Sequence, residues 1–491
     1  MNEKRLKYIF LVFILVFPVC IIYTRILPFI DLPFRLMAST IMRYYDSPGY
    51  IFSQYYTIPT LFKSNIFHLI FCSLKIFPDV ETANKIYYII YFISFPSLLF
   101  FLIKKLGYNK WFSILGFFVV FNSDVHWGFA DYTMSLSVLL LFILILKNTF
   151  DRKNASWLLL SLLTILVTFF VHFQMSIYEC VLFVIFSLMT FRHEIKKLIF
   201  YLLSLIPIFV IMALVYLMDA NRGNEDMFSF LLNYYINVYP SEILVRLQNI
   251  FFINNYHLGG NIYGVIIGLS VSAIIILPAI YLIFKKKIKF KISGIAEIVM
   301  LTSLLFYFIL PDIIPGQNLI SSRFAEIFFI GLILFLSETD FDSRKYLLSV
   351  NILLFLFFIV NIRYFAEFNK VTKGFDKSFF DSVNKTEVVT GLIDKSMYKD
   401  RPVFVHFHNY YTVWNKGIST GLIDYRYGVI RRKAEKNILP DFDPWSKLSE
   451  YPKERYLNCR YLLLKSDSAI SDKNFDLINS VNDWKLYKRN Y

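Results

Sequence analysis

The polar stretch at 25–63 carries side chains suited to acid–base and phosphate chemistry. Its charged groups include two acids and three arginines, at Asp31, Asp46, Arg25, Arg35 and Arg43. A carboxylate can take a proton from a hydroxyl nucleophile, and a guanidinium fork matches the oxygens of a phosphate group. Asp31 closely follows a hydrophobic run and stands between two prolines, so we predict that it acts as a base. Arg35, four residues on, is then a candidate phosphate ligand, and the alternative for Asp31 is a solvated loop acid.

Further polar residues lie where other hydrophobic runs begin or end. They are Asp124, His126, Asp131, His172, Arg323 and Glu326. Ionisable groups at membrane depth are costly and are commonly functional. We predict that Arg323 binds a phosphate group, with snorkelling to a lipid headgroup as the alternative. For His172 the alternative is a hydrogen bond to a neighbouring backbone group.

A divalent cation is the one cofactor that the sequence leaves open. Asp124 and His126 are two residues apart, and carboxylate and imidazole groups both bind metal ions. Two ligands do not make a site, however, and a helix cap or hydrogen-bonded turn is the alternative. His406 and His408 also alternate in the sequence, and we predict that they share one face of a strand and serve its structure.

The composition indicates a membrane protein of many spans. Of the 491 residues, 57% are hydrophobic and 19% aromatic, with a mean hydropathy of +0.53. The net charge of +15 falls largely between hydrophobic runs, which is where membrane proteins carry cations, so a nucleic-acid partner is not indicated. Abundant Phe, Ile, Lys, Asn and Tyr are typical of an AT-rich, bacterial genome.

Hydropathy predicts a mainly α polytopic bundle with about eleven spans, since each crossing needs roughly 20 apolar residues. The spans are expected near 8–24, 86–103, 111–123, 131–146, 156–173, 175–191, 198–218, 261–284, 295–311, 322–337 and 346–363. The segment 65–77 is too short to cross and is predicted to be an interfacial helix.

The basic clusters predict the orientation of the bundle. They fall in alternate loops, so the N-terminus is expected in the cytoplasm of a bacterial cell, with the protein in the inner (plasma) membrane. With an odd number of spans, the first outer loop, 25–85, and the tail then lie outside the cytoplasm.

The sequence divides into a transmembrane domain, 1–363, and a small extracytoplasmic α/β domain, 364–491. Strands are predicted at 402–408, 456–465 and 484–488, and a short helix at 472–480.

The order of several short motifs resembles the GT-C superfamily of glycosyltransferases, which use polyprenyl-phosphate sugars. The motifs are DLPFRLMAST, HWGFADYTMSLSVLLLFILIL, VTFFVHFQMSIY, SSRFAEIFFI and WKLYK. The resemblance implies a GT-C-like bundle that transfers a sugar from a polyprenyl-phosphate lipid to a glycan, lipid or protein acceptor on the outer face of the membrane. Many members carry a histidine after the first-loop acid, whereas here Arg35 follows Asp31. A direct displacement would invert the anomeric carbon.

Three other functions remain open on the sequence. A transporter or flippase of envelope glycans would favour charges deep within the spans and a two-half repeat. The predicted spans are nearly free of charge, with Glu179 as the notable exception, and no repeat is found. An O-antigen-type polymerase also has many spans and outer loops. A non-catalytic membrane assembly protein would use the tail to bind a partner.

Overall fold

The computed structural model describes residues 3–58, 60–218, 227–251, 262–285, 290–291, 293–314, 317–339, 344–420, 429–433 and 460–490. The protein is mainly helical and ends in a small sheet. The first helices are α1 (Glu3–Tyr23), α2 (Leu32–Tyr44), α3 (Phe52–Tyr55), α4 (Phe67–Ser73), α5 (Val80–Leu106), α6 (Gly116–Val120), α7 (Ser123–Trp127), α8 (Ala130–Arg152), α9 (Ala155–Val171) and α10 (Phe173–Phe191).

The later helices are α11 (Ile195–Leu203), α12 (Ile206–Met218), α13 (Met227–Asn233), α14 (Tyr239–Phe251), α15 (Ile262–Phe284), α16 (Ile295–Ile309), α17 (Arg323–Ser337), α18 (Arg344–Val371) and α19 (Tyr410–Asn415). Short 3₁₀ turns occupy Lys110–Leu115, Lys377–Phe380 and Phe407–Asn409, and a π-helical turn occupies Tyr234–Val238. The strands are β1 (Tyr56–Thr57), β2 (Ile313–Ile314), β3 (Gln317–Asn318), β4 (Val388–Ile393), β5 (Ile418–Ser419), β6 (Arg431–Arg432), β7 (Tyr461–Lys465), β8 (Phe475–Val481) and β9 (Trp484–Arg489).

Within the described ranges, seven helical segments are long and apolar enough to cross a membrane, so the protein is a multi-pass membrane protein. They are Lys4–Tyr23, Val80–Leu106, Ala130–Arg152, Phe173–Phe191, Ile195–Val215, Val265–Phe284 and Arg344–Val371. Helices α9 and α16 are apolar but shorter. Helices α16 and α17 pack so closely at Gly331 that a Cβ atom there would lie 2.7 Å from the Met300 backbone.

The segment 111–123 was predicted as a membrane span, but it does not form one continuous helix. The chain there makes the 3₁₀ turn Lys110–Leu115, then α6, and then a break before α7. The Asn122 side chain accepts a hydrogen bond from Val125 N and so caps the N-terminus of α7, which begins as a separate helix. Side chains from 112 to 126 are all buried, which is where a broken helix is tolerated at membrane depth.

This broken segment runs beside α17 from one end to the other. Asn109 N donates to Ser337 O at the end of α17, whereas Ile30 N donates to His126 O at the opposite end. Because α17 begins at Arg323, the segment delivers Asp124 and His126 to the end of the bundle that carries Arg323 and the start of α2. The predicted site residues at 124–131 therefore lie on the side of Asp31.

The tail forms a mixed five-stranded sheet in the order β5-β4-β7-β9-β8. Strand β4 is parallel to β5 and β7, and β9 is antiparallel to β7 and β8. Strands at the end of the predicted 456–465 run and at 484–488 are confirmed as β7 and β9; residues 456–459 lie outside the described ranges.

Two tail predictions were wrong. Residues 472–480 were predicted as a helix but contribute most of β8, which pairs with β9 across a two-residue turn. Residues 402–408 were predicted as a strand but form tight turns leading into the 3₁₀ turn Phe407–Asn409. All side chains from 403 to 408 are buried, so their alternation does not separate an inner face from an outer one.

The tail packs directly on the chain around the first loop. Strand β6 pairs with β1, and Trp414 Nε1 donates to Glu81 Oε2 over 3.0 Å. Arg25 Nη2 donates to the carbonyl oxygen of Phe375 over 2.6 Å. These contacts hold the 3₁₀ turn Phe407–Asn409 and α19 against α2, the helix that begins after Asp31.

Candidate active site

Asp31 is fixed at the start of α2 by its backbone. Asp31 N donates to Trp127 O over 2.9 Å, and the adjacent Gly128 has φ +82°. A Cβ atom at Gly128 would lie 3.1 Å from Leu32 N and 3.3 Å from Asp31 N, so this close approach favours glycine. The Asp31 side chain makes no capping hydrogen bond to α2 and is 29% exposed. Its carboxylate is therefore available to another molecule.

Two arginines set the charge around Asp31. Burial raises the pKa of the Asp31 carboxyl to about 6, while the guanidiniums of Arg35 and Arg323 act in the opposite direction. A carboxyl with this pKa is largely ionised at pH 7 and binds a proton more readily than an ordinary aspartate. Both properties suit a general base.

Arg35 is already paired with an acid from α8. Its Nη1 lies 2.6 Å from Asp131 Oδ2, and Asp131 Oδ1 accepts a hydrogen bond of 2.9 Å from His68 N. The Asp131 side chain is 1% exposed, and the Arg35 side chain 20%. The pair fixes Arg35 beside Asp31, and the predicted contact of Arg35 with phosphate stays a prediction.

Arg323 is held in a cage of aromatic and polar groups at the start of α17. Its guanidinium carbon lies 4.5 Å from the centre of the Phe129 ring and 5.6 Å from that of Tyr132. Arg323 Nη1 donates to Gln174 Oε1 over 2.9 Å, and Nε lies 3.8 Å from Asp124 Oδ1. Cation–π contacts and the Asp124 carboxylate together stabilise a charge at this depth.

The His172 imidazole lies beside the Arg323 guanidinium and adds a further N–H group to the site. His172 Nδ1 accepts a hydrogen bond from Met175 N over 3.4 Å, which caps α10. In a neutral imidazole the hydrogen then sits on Nε2, and Nε2 lies 3.4 Å from Arg323 Nη1. Two donors cannot bond each other. One hydrogen of Arg323 Nη1 already goes to Gln174 Oε1, so its second hydrogen and that of His172 Nε2 can share an acceptor. An anionic oxygen placed between them would satisfy both groups.

Glu326 lies one turn along α17 and backs the Arg323 site. Its Oε2 accepts a hydrogen bond of 2.7 Å from Asn122 Nδ2, and its carboxyl faces Asp124. Asn122 therefore links Glu326 to the start of α7, the short helix that carries Asp124. Glu326 is 1% exposed and has no direct path to solvent, so it supports Asp124 and, through it, Arg323.

His126 does not join this cluster. Its ring makes edge-on contacts with Phe29 and Tyr364, at centroid distances of 6.1 and 5.6 Å. Asp124 instead faces Arg323 and Glu326, so the two predicted metal ligands contact different neighbours. In the described part of the chain no three Asp, Glu, His or Cys residues are grouped as a metal site. A cation site built on Asp124 and His126 alone does not fit this arrangement.

The tail supplies one neighbour of Asp31 that sequence reasoning missed. His406 Nε2 lies 3.6 Å from Asp31 Oδ1, and the imidazole packs near the Phe34 ring. Burial, together with His408, lowers the pKa of His406 to about 3, so the ring is neutral at pH 7. The two residues are far apart in sequence, and no local pattern could have paired them.

Most of the predicted residues thus converge at one end of the bundle. Asp31, Arg35, Asp131, Asp124, Arg323, His172 and Glu326 form a connected set, whereas His126 lies apart. The set contains one partly exposed base, two guanidiniums and a neutral imidazole donor. Such groups can deprotonate a hydroxyl and hold a phosphate next to it. A comparison of the sequence with protein-family models and with curated proteins found no match.

Proposed function

We propose that the protein is a membrane glycosyltransferase of the GT-C type, which moves a sugar from a polyprenyl-phosphate donor to a glycan, lipid or protein acceptor. The observation that carries the proposal is a partly exposed carboxylate, Asp31, within electrostatic reach of the Arg35 and Arg323 guanidiniums. Displacing a sugar from phosphate requires a base for the incoming hydroxyl and cations for the departing phosphate.

In the proposed reaction, Asp31 accepts the proton of the acceptor hydroxyl while that oxygen bonds to the anomeric carbon. The bond from the anomeric carbon to the phosphate oxygen breaks, and its electron pair leaves with polyprenyl phosphate. Arg323 and His172 donate hydrogen bonds to the departing phosphate, and charge-assisted bonds of this kind are the strong ones. One displacement inverts the anomeric configuration.

The proposed site requires a particular arrangement in the membrane. We propose eleven crossings: the seven long helical segments, the shorter helices α9, α16 and α17, and the broken segment 110–127. The basic clusters predict a cytoplasmic N-terminus. An odd number of crossings would then put the domain 364–491, together with Asp31, on the outer face of the bacterial inner membrane. The membrane domain, 1–363, then presents the site to lipid-linked sugars on that face.

Reporter fusions test this topology. Alkaline phosphatase fused after Tyr491 should be active, because the enzyme requires export from the cytoplasm. Fusions within 285–291, a lysine-rich stretch predicted on the inner side, should be inactive. Active fusions in 285–291 combined with an inactive fusion after Tyr491 would place the site on the cytoplasmic face and overturn the proposed donor supply.

The chemistry is tested by supplying donor to the purified protein. Protein in lipid vesicles should release polyprenyl phosphate from a labelled polyprenyl-phosphate sugar when acceptor is present. A transporter, or an assembly protein without activity, would leave the bond between sugar and phosphate intact. Intact donor in the presence of acceptor-containing envelope extract would therefore count against the proposal and for one of these alternatives.

The pH dependence of turnover should follow the ionisation of the Asp31 carboxyl. Because burial raises its pKa to about 6, the carboxyl is protonated and inactive as a base well below pH 6 and ionised above it. Turnover is therefore expected to rise as the pH increases through about 6 and to level off near pH 7. A rate that is flat between pH 5 and pH 8 would contradict the assignment of Asp31 as the base.

Variants of His406 test whether this neighbour influences the pKa of the Asp31 carboxyl. The neutral imidazole lies beside Asp31, and its dipole can favour the ionised carboxylate. In His406→Phe the midpoint of the pH profile should move upward, whereas His406→Gln, which keeps an N–H donor, should move it less. Loss of rate in both variants without a shift of the midpoint would indicate a packing role only.

A further inference from the structure

Two aromatic side chains beside the site belong to a segment that is otherwise enclosed. Among residues 112–137, all of which the structure describes, only Trp127 and Phe129 are not buried. They stand on either side of Gly128, whose left-handed conformation (φ +82°) ends α7. A buried segment that leaves two aromatic rings accessible at this place indicates that the rings contact another molecule.

The two rings form a row between the proposed phosphate ligand and the proposed base. The ring centres of Trp127 and Phe129 are 6.0 Å apart, and the ring planes differ by 16°. The guanidinium carbon of Arg323 lies 4.5 Å from the centre of the Phe129 ring. At the other end of the row, the carbonyl oxygen of Trp127 accepts the hydrogen bond from Asp31 N. The contacts therefore lead from Arg323 through both rings to Asp31.

Sugar transfer would place the donor sugar in this interval. If the proposed function holds, on which this inference rests, Asp31 activates the acceptor hydroxyl while Arg323 holds the phosphate. The anomeric carbon must then lie between these two groups, because it exchanges its bond to phosphate for a bond to the hydroxyl oxygen. The rest of the sugar ring would therefore lie beside Trp127 and Phe129.

An indole ring suits one face of a pyranose. The face of an aromatic ring carries negative charge, and the C–H groups on a sugar ring carry partial positive charge. The indole N–H can also donate to a sugar hydroxyl, and no described residue accepts a hydrogen bond from Trp127 Nε1. The Phe129 ring already packs against Arg323. Trp127 is therefore the ring that is better placed to meet a ligand.

We propose that Trp127 binds the sugar of the lipid-linked donor by stacking against one face of its pyranose ring. Phe129 holds the indole in line with Arg323, so the sugar and its phosphate are bound side by side. The stacking orients the anomeric carbon between the acceptor hydroxyl and the departing phosphate. Because only the sugar reaches Trp127, this contact distinguishes a glycosylated lipid from bare polyprenyl phosphate.

Binding of two lipids to the purified full-length protein separates the sugar contact from the phosphate contact. One is polyprenyl phosphate, and the other is whichever of polyprenyl-phosphate glucose, galactose or mannose the parent binds most tightly. Trp127→Leu should weaken binding of the sugar lipid roughly tenfold, since a stacking contact and its buried area are lost. Its affinity for polyprenyl phosphate should not change, and Trp127→Phe, which keeps a ring, should lose less.

Two further variants calibrate the measurement. Arg323→Gln should weaken binding of both lipids, because both carry the phosphate. Trp111→Leu is the matched control: Trp111 is also partly exposed, but it lies at the opposite end of the same broken segment. Its replacement should leave both affinities at the parental value.

The difference between the two lipids decides the outcome. Parental affinity of Trp127→Leu for the sugar lipid would overturn the proposal. Equal losses for both lipids would also overturn it, since they would indicate a contact with lipid headgroups or a packing role, as is common for tryptophan at membrane interfaces. A parent that binds polyprenyl phosphate as tightly as all three sugar lipids has no sugar contact, and the proposal fails alone. A parent that binds none of the lipids refutes the proposed function as well.

Discussion

Replacing Asp31 with asparagine is expected to lower turnover by about 10²–10⁴-fold, the range that general-base catalysis contributes. Asparagine keeps the size of the side chain and most of its hydrogen bonding but cannot accept a proton at neutral pH. The side chain makes no capping bond to α2 and is partly exposed, so folding and membrane insertion should hardly change. The measurement follows labelled sugar from a polyprenyl-phosphate donor in membranes with matched protein content.

Asp46→Asn is the matched control for this change. Asp46 lies in the same loop but just beyond the far end of α2, about 20 Å from Asp31 at the helical rise of 1.5 Å per residue. It lines an open surface pocket with Arg43 and Lys75. Normal transfer by Asp31→Asn would refute the base assignment, and equal losses in the two variants would indicate a general effect on the loop.

Arg323→Gln is expected to lower turnover by about 10²–10³-fold, similar to the loss of one preorganised donor to a developing oxyanion. Arg323→Lys should retain part of the activity, since an ammonium still attracts phosphate but lacks the planar fork. Both variants keep a long polar side chain between the Phe129 and Tyr132 rings. The measurement is kcat and KM for the lipid donor in detergent or vesicles.

Arg43→Gln serves as a control for the loss of a structural arginine. Arg43 Nη2 donates to Phe77 O over 2.7 Å and so holds the first loop, but it lies outside the site. If Arg323→Gln acts through phosphate, it should affect turnover far more than Arg43→Gln at equal protein content. Parental activity in Arg323→Gln would exclude a phosphate role for this residue.

The helices could be predicted from length and hydropathy where they face lipid. Prediction was less accurate for segments that are completely buried within the protein. A lipid-facing span shows its apolar run directly in the sequence. Segment 112–126 is buried by protein on all sides, so its backbone can cross at membrane depth without forming one continuous helix. Its break is signalled only by Asn122, whose side chain caps the next helix.

The tail hairpin carries a local signal in the sequence, at the turn between its two strands. Val481 pairs with Trp484, so Asn482 and Asp483 form a two-residue turn, and Asn482 has φ +54°. Asparagine tolerates this left-handed conformation and favours tight hairpins. Recognising the turn would have replaced the predicted helix at 472–480 with a strand.

The candidate site could be predicted as a set of residues but not as a set of contacts. Residue type and position at the ends of apolar runs were enough to select Asp31 and Arg323. The pairing of Arg35 with Asp131, and the approach of His406 to Asp31, join distant parts of the chain. Such contacts depend on how helices and tail pack together, which one sequence does not reveal.

Donor binding measured beside turnover tests the central claim most directly, because it separates the base from the phosphate ligands. Purified parent, Asp31→Asn and Arg323→Gln are compared for affinity toward a polyprenyl-phosphate sugar and for its turnover. Asp31→Asn is predicted to bind the donor as the parent does and to turn it over about 10²–10⁴-fold more slowly, whereas Arg323→Gln should bind it more weakly. Parental turnover in Asp31→Asn, or parental affinity in Arg323→Gln, would contradict the proposed roles.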